Sequence, residues 1–214
     1  MKRIVRPEWL DDLAPDDPAA RDSRRDLRLT NAFMGNHRWI ARVLPARCRP
    51  GEAVIELGAG TGELGRHLQR TGLALDGLDR WPRPVDWPAT RTWHQADLRS
   101  FPGYAPYSVV VGNLIFHQFT DAELADLGCE LHRHARLIVA CEPARRRRSQ
   151  FLYRLIAPLL GASHVSLHDA RVSIAAGFRG DELARSLGLG SGDWSIRQHS
   201  TVLGANRLIA LRNP

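Results

Sequence analysis

The segment Val54-Ile55-Glu56-Leu57-Gly58-Ala59-Gly60-Thr61-Gly62 constrains this chain more than any other. Apolar residues surround one acid, glycine then takes every second position, and Leu64 and Leu68 follow at helical spacing. The pattern predicts a buried strand, a turn too tight for side chains, and a helix start. Such a turn lets a ligand lie against bare backbone at the carboxyl end of a strand. Spacing separates two kinds of ligand. A dinucleotide fingerprint, G-x-G-x-x-G, would put its third glycine at position 63, where Glu63 stands. Glu56, inside the strand end, would repel a pyrophosphate and suits a cationic ligand.

From Ala53 onward, strand and helix patterns alternate. Strands are expected at 53–57, 73–78, 91–95, 108–112 and 136–141, with helices at 63–70 and 121–134, the latter begun by Thr120 or Asp121. A helix over 181–187 precedes two strands, 194–202 and 206–211, whose Leu203-Gly204-Ala205 connection reads as a hairpin. This order predicts an α/β fold, a doubly wound sheet of five parallel strands closed by a C-terminal hairpin. The apolar spacing over 22–44 predicts N-terminal helices broken near Gly35-Asn36. Residues 1–50 are thus read as a helical lid region and 51–214 as the main domain, with a helical insert at about 143–170.

Composition narrows the classes. A length of 214 residues, 43% apolar and 25% charged, suits one soluble domain. The apolar stretch 151–162 is broken by Arg154 and Pro158 and is too short to span a bilayer. The first 22 residues, charged and broken by prolines, do not read as a secretion signal. Cys48, Cys129 and Cys141 form no C-x-x-C pair, so neither a disulfide framework nor a metal site is indicated and a cytoplasmic location is expected. The net charge of +7 gives only modest support for nucleic acid, because Lys2 is the single lysine and arginine bias reflects codon composition as well as surface function.

Ligands of an open α/β sheet bind at the carboxyl strand ends. Strand one ends in Glu56 and the glycine loop. Strand two ends in Asp79, near the roughly 20-residue offset of a ribose-binding acid, and Arg80 and Trp81 follow it to flank an adenine ring. Strand three leads into Asp97-Leu98, and strand four ends in Asn113. The E-x-G-x-G-x-G run resembles the first motif of the class I S-adenosylmethionine-dependent methyltransferases, and the resemblance covers residues 50–142. It implies a seven-stranded Rossmann-like sheet and S-adenosyl-L-methionine as cofactor. It also implies that Glu56, Gly58, Ala59, Gly60 and Gly62 pass the methionine end, Asp97 and Leu98 contact the adenine, and Asn113 lies at the methyl-donor end. Ala59 stands where that family often carries Cys or Ser.

The acceptor is read from the strand-four end. Enzymes methylating base amines or glutamine carry Asn/Asp-Pro-Pro-Tyr/Phe there, whereas Leu114 and Ile115 follow Asn113. The stretch Asn113-Leu-Ile-Phe-His-Gln-Phe is similar to small-molecule methyltransferases with two histidines, His117 matching the first and Gln118 replacing the second. A phenol is mostly protonated at neutral pH and profits from a base, for which His117 and His168 are the candidates. His168 is expected in a loop of the substrate-covering insert, and His37 and Trp39 as lid-lining residues. Phe151, Leu152, Leu155, Ile156, Leu159 and Leu160 predict an amphipathic helix over the site mouth, with Arg145–Arg148 offering peripheral contact to anionic lipid. The motifs around Asn31, His117 and His168 also resemble bacterial methyltransferases associated with type III polyketide synthases. These expectations favour O-methylation of a small hydrophobic or phenolic molecule. Alternatives are an RNA or protein methyltransferase, with the arginine run as anion clamp, and a cofactor-binding protein without turnover. No sequence feature sets the oligomeric state.

Overall fold

The computed structural model describes residues 2–14, 17–157, 161–190 and 192–214. One sheet organises them: β1 (Ala53–Leu57), β2 (Asp76–Asp79), β3 (Trp93–Gln95), β4 (Tyr107–Asn113), β5 (Leu137–Pro143), β6 (Trp194–Ser200) and β7 (Ala205–Arg212). Their spatial order is β3-β2-β1-β4-β5-β7-β6. The first five run parallel, and β7 is antiparallel to both β5 and β6, as the terminal hairpin requires. The chain starts centrally at β1, moves outward to β3 and returns to β4. That reversal opens the crevice between β1 and β4 at their carboxyl ends.

Strand β1 has the expected bounds. Strand β2 is shorter than expected, because its ladder with β1 begins only at Asp76, opposite Ile55. Strand β5 runs on to Pro143, and the two added residues place Glu142 inside the sheet. The parallel strands alternate between two apolar clusters. Val110, Ile138 and Ala140 belong to one, with Leu124, Leu127 and Leu131 of α5 (Asp121–His134). Val109, Val111, Leu137 and Val139 belong to the other, with Ile40 of α3 (Asn36–Val43) and Leu64 of α4 (Glu63–Gln69). Burial on both faces explains the continuous apolar runs of β4 and β5. Thr120 caps α5 in a reciprocal box with Glu123.

Two N-terminal helices, α1 (Trp9–Asp12) and α2 (Pro18–Met34), precede α3, and left-handed Gly35 (φ +66°) makes the turn expected between α2 and α3. Helix α6 (Arg147–Ile156) occupies part of the expected insert. Phe151 and Leu155 on it are exposed, so its apolar residues do not all turn inward. Leu159 and Leu160 lie outside the described residues, as do the side chains of Leu152 and Ile156. Helix α7 (His164–Ala176) begins inside the expected insert and runs beyond it, and carries His168, which was expected in a loop. It contacts α1, α2, α6 and β5, and a helix covered on several sides loses the single apolar stripe that betrays an amphipathic one. The last helix, α8 (Glu182–Ser186), precedes the hairpin.

Candidate functional site

The glycine loop is left-handed at each alternate residue: Gly58 at φ +65°, Gly60 at +55° and Gly62 at +73°. A β-carbon at Gly58 would also stand 2.5 Å from Ile115, and one at Gly62 2.6 Å from the Trp87 ring. Gly58→Ala is therefore expected to lower stability by about 2–4 kcal/mol, the sum of left-handed strain and overpacking. A urea titration reads it. The Gly58 and Ala59 N–H groups donate to the Leu78 carbonyl, fixing the loop to the end of β2.

Asp79 completes that junction. Its carboxylate accepts from Gly60 N–H at 2.7 Å and Trp81 N–H at 2.9 Å, while its carbonyl accepts from Ala96 N–H at 2.9 Å. The tips of β1, β2 and β3 are thereby tied together. Arg80 is exposed, and its carbonyl accepts from Gln95. Asp97 is held by Arg99, which bonds both its oxygens and also reaches Glu123 at 2.6 Å. Leu98 is buried and its carbonyl accepts from the Tyr104 hydroxyl at 2.6 Å.

Glu56 is the anomaly. It is 3% exposed, and its Oε2 has no hydrogen-bond partner. Burial, then the nearby Asp79 and Glu63, hold its carboxyl well above the ordinary carboxylate range. A buried acid with one unpaired oxygen, surrounded by other acids, lacks a donor or a cation.

Asn113 at the tip of β4 meets the N-terminal helices. Its Nδ2 donates to Asn31 at 3.0 Å and lies 3.4 Å from His37 Nε2, while its Oδ1 accepts from Asn36 at 3.0 Å. Burial, then His67, pushes His37 down to about 4, so its imidazole is neutral at physiological pH. Asn36 Oδ1 is a second buried acceptor without a partner. Asn36 was missed in the sequence because a polar residue just after a helix-breaking glycine reads as a turn. Trp39, expected as a lid-lining residue, lies under the Arg207 guanidinium at 5.2 Å.

Beyond Asn113 the backbone takes an uncommon route. Leu114 has φ +58°, the one left-handed non-glycine residue among those described. The turn aims successive N–H groups at Glu142, whose Oε1 accepts from Ile115 and Phe116, each at 2.9 Å, and Oε2 from His117 at 3.1 Å. The same Oε2 is 2.7 Å from His117 Nδ1, and His117 Nε2 is 3.2 Å from Glu8 Oε1.

Both ring nitrogens of His117, one of the two candidate bases, therefore face carboxylates. Burial alone would lower its pKa, but bonding to Glu142 and then Glu8 outweighs it and raises it to about 10. The group is an imidazolium with both ring nitrogens engaged. Its folded pKa exceeds the ordinary 6.5, so its contribution to stability is complete below pH 6.5 and is lost as pH rises toward 10. Thermal melting from pH 6 to 10 should show this fall, and His117→Gln should flatten it.

His168 is also relocated. It sits on α7, not in a loop, with Nδ1 3.0 Å from Asp169 Oδ1 and its ring stacked on Trp9 at 3.7 Å. Asp169 accepts from the N–H groups of Trp9 and Leu10, so the pair fastens the N-terminal segment. The arginine run does not form one cationic face. Arg145 is buried and bonded to Glu182 at 2.6 Å and to the Gly177 carbonyl, leaving Arg147 and Arg148 exposed.

No protein-family model matches the sequence, and no curated protein does. Solved structures do. The chain superposes on the plantazolicin methyltransferase BpumL, solved with a monoazolic desmethylPZN analog and SAH, with TM-score 0.73 and 11% identity over 96% of this chain and 93% of that one. The class I methyltransferase fold is the fold of this chain. Magnesium protoporphyrin IX methyltransferase (ChlM) from Synechocystis PCC 6803, with bound SAH, aligns at TM-score 0.57 and 17% identity, covering 95% and 91%. The pyocyanin biosynthetic protein PhzM aligns at TM-score 0.64 and 18% identity over 96% of this chain but 61% of its own. Within the class I methyltransferase fold, Glu56, the glycine loop, Asp79 and Asn113 stand together at the carboxyl strand ends, as expected. His117 and His168 both contact the N-terminal segment. No helix among the described residues is long and apolar enough to cross a membrane.

Proposed function

We propose that the protein is an S-adenosylmethionine-dependent methyltransferase acting on a small hydrophobic or phenolic molecule, with oxygen as the favoured acceptor atom. The observation that carries the reading is the unpaired, buried oxygen of Glu56 beside a left-handed glycine loop. It fits a ligand that brings an ammonium and a sulfonium into a cluster of acids and asks for bare backbone alongside.

In this reading Glu56 and Gly58–Gly62 take the methionine end, and Asp79, already positioned by Gly60 and Trp81, accepts the ribose hydroxyls. Asp97 and Leu98, with Arg80 beside them, border the adenine, and Asn113 orients the donor end. The neutral imidazole of His37 leaves that end without a competing positive charge. The bound cofactor supplies an electrophilic methyl group. The chain's part is alignment and exclusion of water, which suffice for an in-line displacement. That proteins of the same fold include a plantazolicin methyltransferase solved with a desmethylPZN analog and a magnesium protoporphyrin IX methyltransferase supports a small-molecule acceptor.

Burial of Arg145 in an ion pair weakens the RNA reading, because it removes one member of the anion clamp. The free thiols of Cys48, Cys129 and Cys141 support a cytoplasmic location. Exposed Phe151 and Leu155 beside Arg147 and Arg148 support peripheral contact with anionic lipid, and flotation with anionic but not neutral liposomes is the expected result. Turnover is tested by following S-adenosylhomocysteine release across a panel of phenols and aromatic carboxylic acids. Release with at least one acceptor, insensitive to salt, is expected. Cofactor binding without release would favour a non-catalytic protein, and steep salt dependence with RNA would favour the clamp.

A further inference from the structure

The N-terminal arm, residues 3–10, is held across one side of the fold by polar contacts. Arg3 donates to the carbonyls of Ala176 at 2.8 Å, Phe119 at 2.6 Å and His117 at 3.3 Å, and pairs with Asp121 at 2.8 Å. Farther along, Trp9 and Leu10 donate to Asp169. Between these anchors Glu8 is carried inward. Its carboxylate meets His117 Nε2, the Ser173 hydroxyl and the Gln118 side chain, in a cleft of about 220 Å³ also lined by Val5, Pro7 and Val172. Three side-chain donors, one of them cationic, therefore converge on one carboxylate.

The two partners differ in how firmly they are fixed. His117 is 3% exposed and bonded to fully buried Glu142 within the sheet. By contrast, the arm buries little apolar surface: Ile4 and Trp9 are about half exposed, Val5 and Leu10 are only partly buried, and no residue of 3–10 enters either apolar cluster. A segment held mainly by hydrogen bonds, with little apolar burial, opens locally at low free-energy cost. Opening removes Glu8 and leaves His117, Ser173 and Gln118 where they are.

We propose that these three donors form the acceptor subsite for an anionic oxygen, a phenolate or a carboxylate, and that Glu8 is its displaceable resident. The proposal rests on the methyltransferase reading and names its acceptor class. An acceptor enters by releasing its proton to solvent, and His117 stays protonated and holds the resulting anion. In the transfer the acceptor oxygen–carbon bond forms as the carbon–sulfur bond of the sulfonium breaks. The two charges cancel, leaving a neutral ether or ester and a thioether. The charged groups around His117 are Glu142 from β5, Glu8 and Arg3 from the arm, with Arg6 and Glu123 at the cleft rim.

The test is titration with 4-nitrophenol at a pH below its own pKa, where only the bound anion is yellow. Glu8→Ala is expected to bind the dye at least tenfold more tightly than the unaltered protein and to develop the colour. Glu8→Ala/His117→Gln should lose both. Glu8→Gln, which keeps the length of the side chain and removes its charge, should tighten binding to a smaller degree and serves if the alanine variant folds poorly. Displacement of the dye by benzoate extends the subsite to carboxylates, and its absence confines the subsite to phenolates. Equal affinity with and without Glu8, or binding that survives His117→Gln, overturns the proposal. Calorimetry with S-adenosylmethionine on the same proteins separates the two levels. Retained cofactor binding with no dye response sinks the subsite alone, whereas failure to bind cofactor sinks the methyltransferase reading.

Discussion

Glu56→Gln is expected to weaken S-adenosylmethionine binding by about 10–100-fold while leaving the ligand-free protein more stable at neutral pH. The first half follows from exchanging a charge-assisted contact for a neutral one, a loss of about 1.5–3 kcal/mol. The second follows from burial. In the empty protein the carboxyl sits among Asp79 and Glu63 with one oxygen unpaired, and its pKa is raised well above the ordinary 4.5. The folded state then holds more protons than the unfolded state above pH 4.5, so stability falls as pH rises from there through the folded pKa. Glutamine removes that slope. Ligand binding to the unaltered protein should release a proton and tighten with pH over the same window. Calorimetry in two buffers of different ionisation enthalpy, with melting curves from pH 4.5 to 8, checks both halves together. A variant that binds as well as the parent would mean that the buried acid serves packing alone.

Glu142→Ala is expected to cost about 3–5 kcal/mol of stability, the size found when one partner of a buried charged cluster is removed. The reason is the number of groups it satisfies. The N–H groups of Ile115, Phe116 and His117 and the imidazole Nδ1 all end on this one side chain. Truncation would leave them without an acceptor in a site that solvent does not reach, and would release the left-handed turn at Leu114 that Glu142 stabilises. Glu142→Gln should cost less but more than a surface change, because its amide nitrogen would face a donor. Urea denaturation measures the loss. A change below about 1 kcal/mol for the alanine variant would show that the turn is held elsewhere.

These two acids also mark how far the sequence could be read. Glu56 was legible because strand, acid and glycines are contiguous, and the loop geometry follows from residues that adopt positive φ. The sheet was legible for a similar reason: alternation of apolar strands and capped helices leaves few topologies, and the reversal between β3 and β4 comes with it. Glu142 was not legible as a site residue. It lies in the run Leu137–Pro143, where an acid at a strand end reads as the edge of the core, and its partners come from residues 115–117 across the sheet. Glu8 was hidden further, since its contact with His117 joins a strand-poor N-terminus to a turn more than a hundred residues away. A histidine's protonation depends on such partners, and periodicity carries no information about them. The helical setting of His168 was hidden for another reason: α7, covered on several sides, shows no single apolar stripe.

Calorimetric titration of the unaltered protein with S-adenosylmethionine and, separately, with NAD tests the central claim most directly. The account predicts saturable binding of the sulfonium nucleoside at one site, reduced by Glu56→Gln, and no heat from NAD. Binding of NAD alone, or of neither compound, would contradict it.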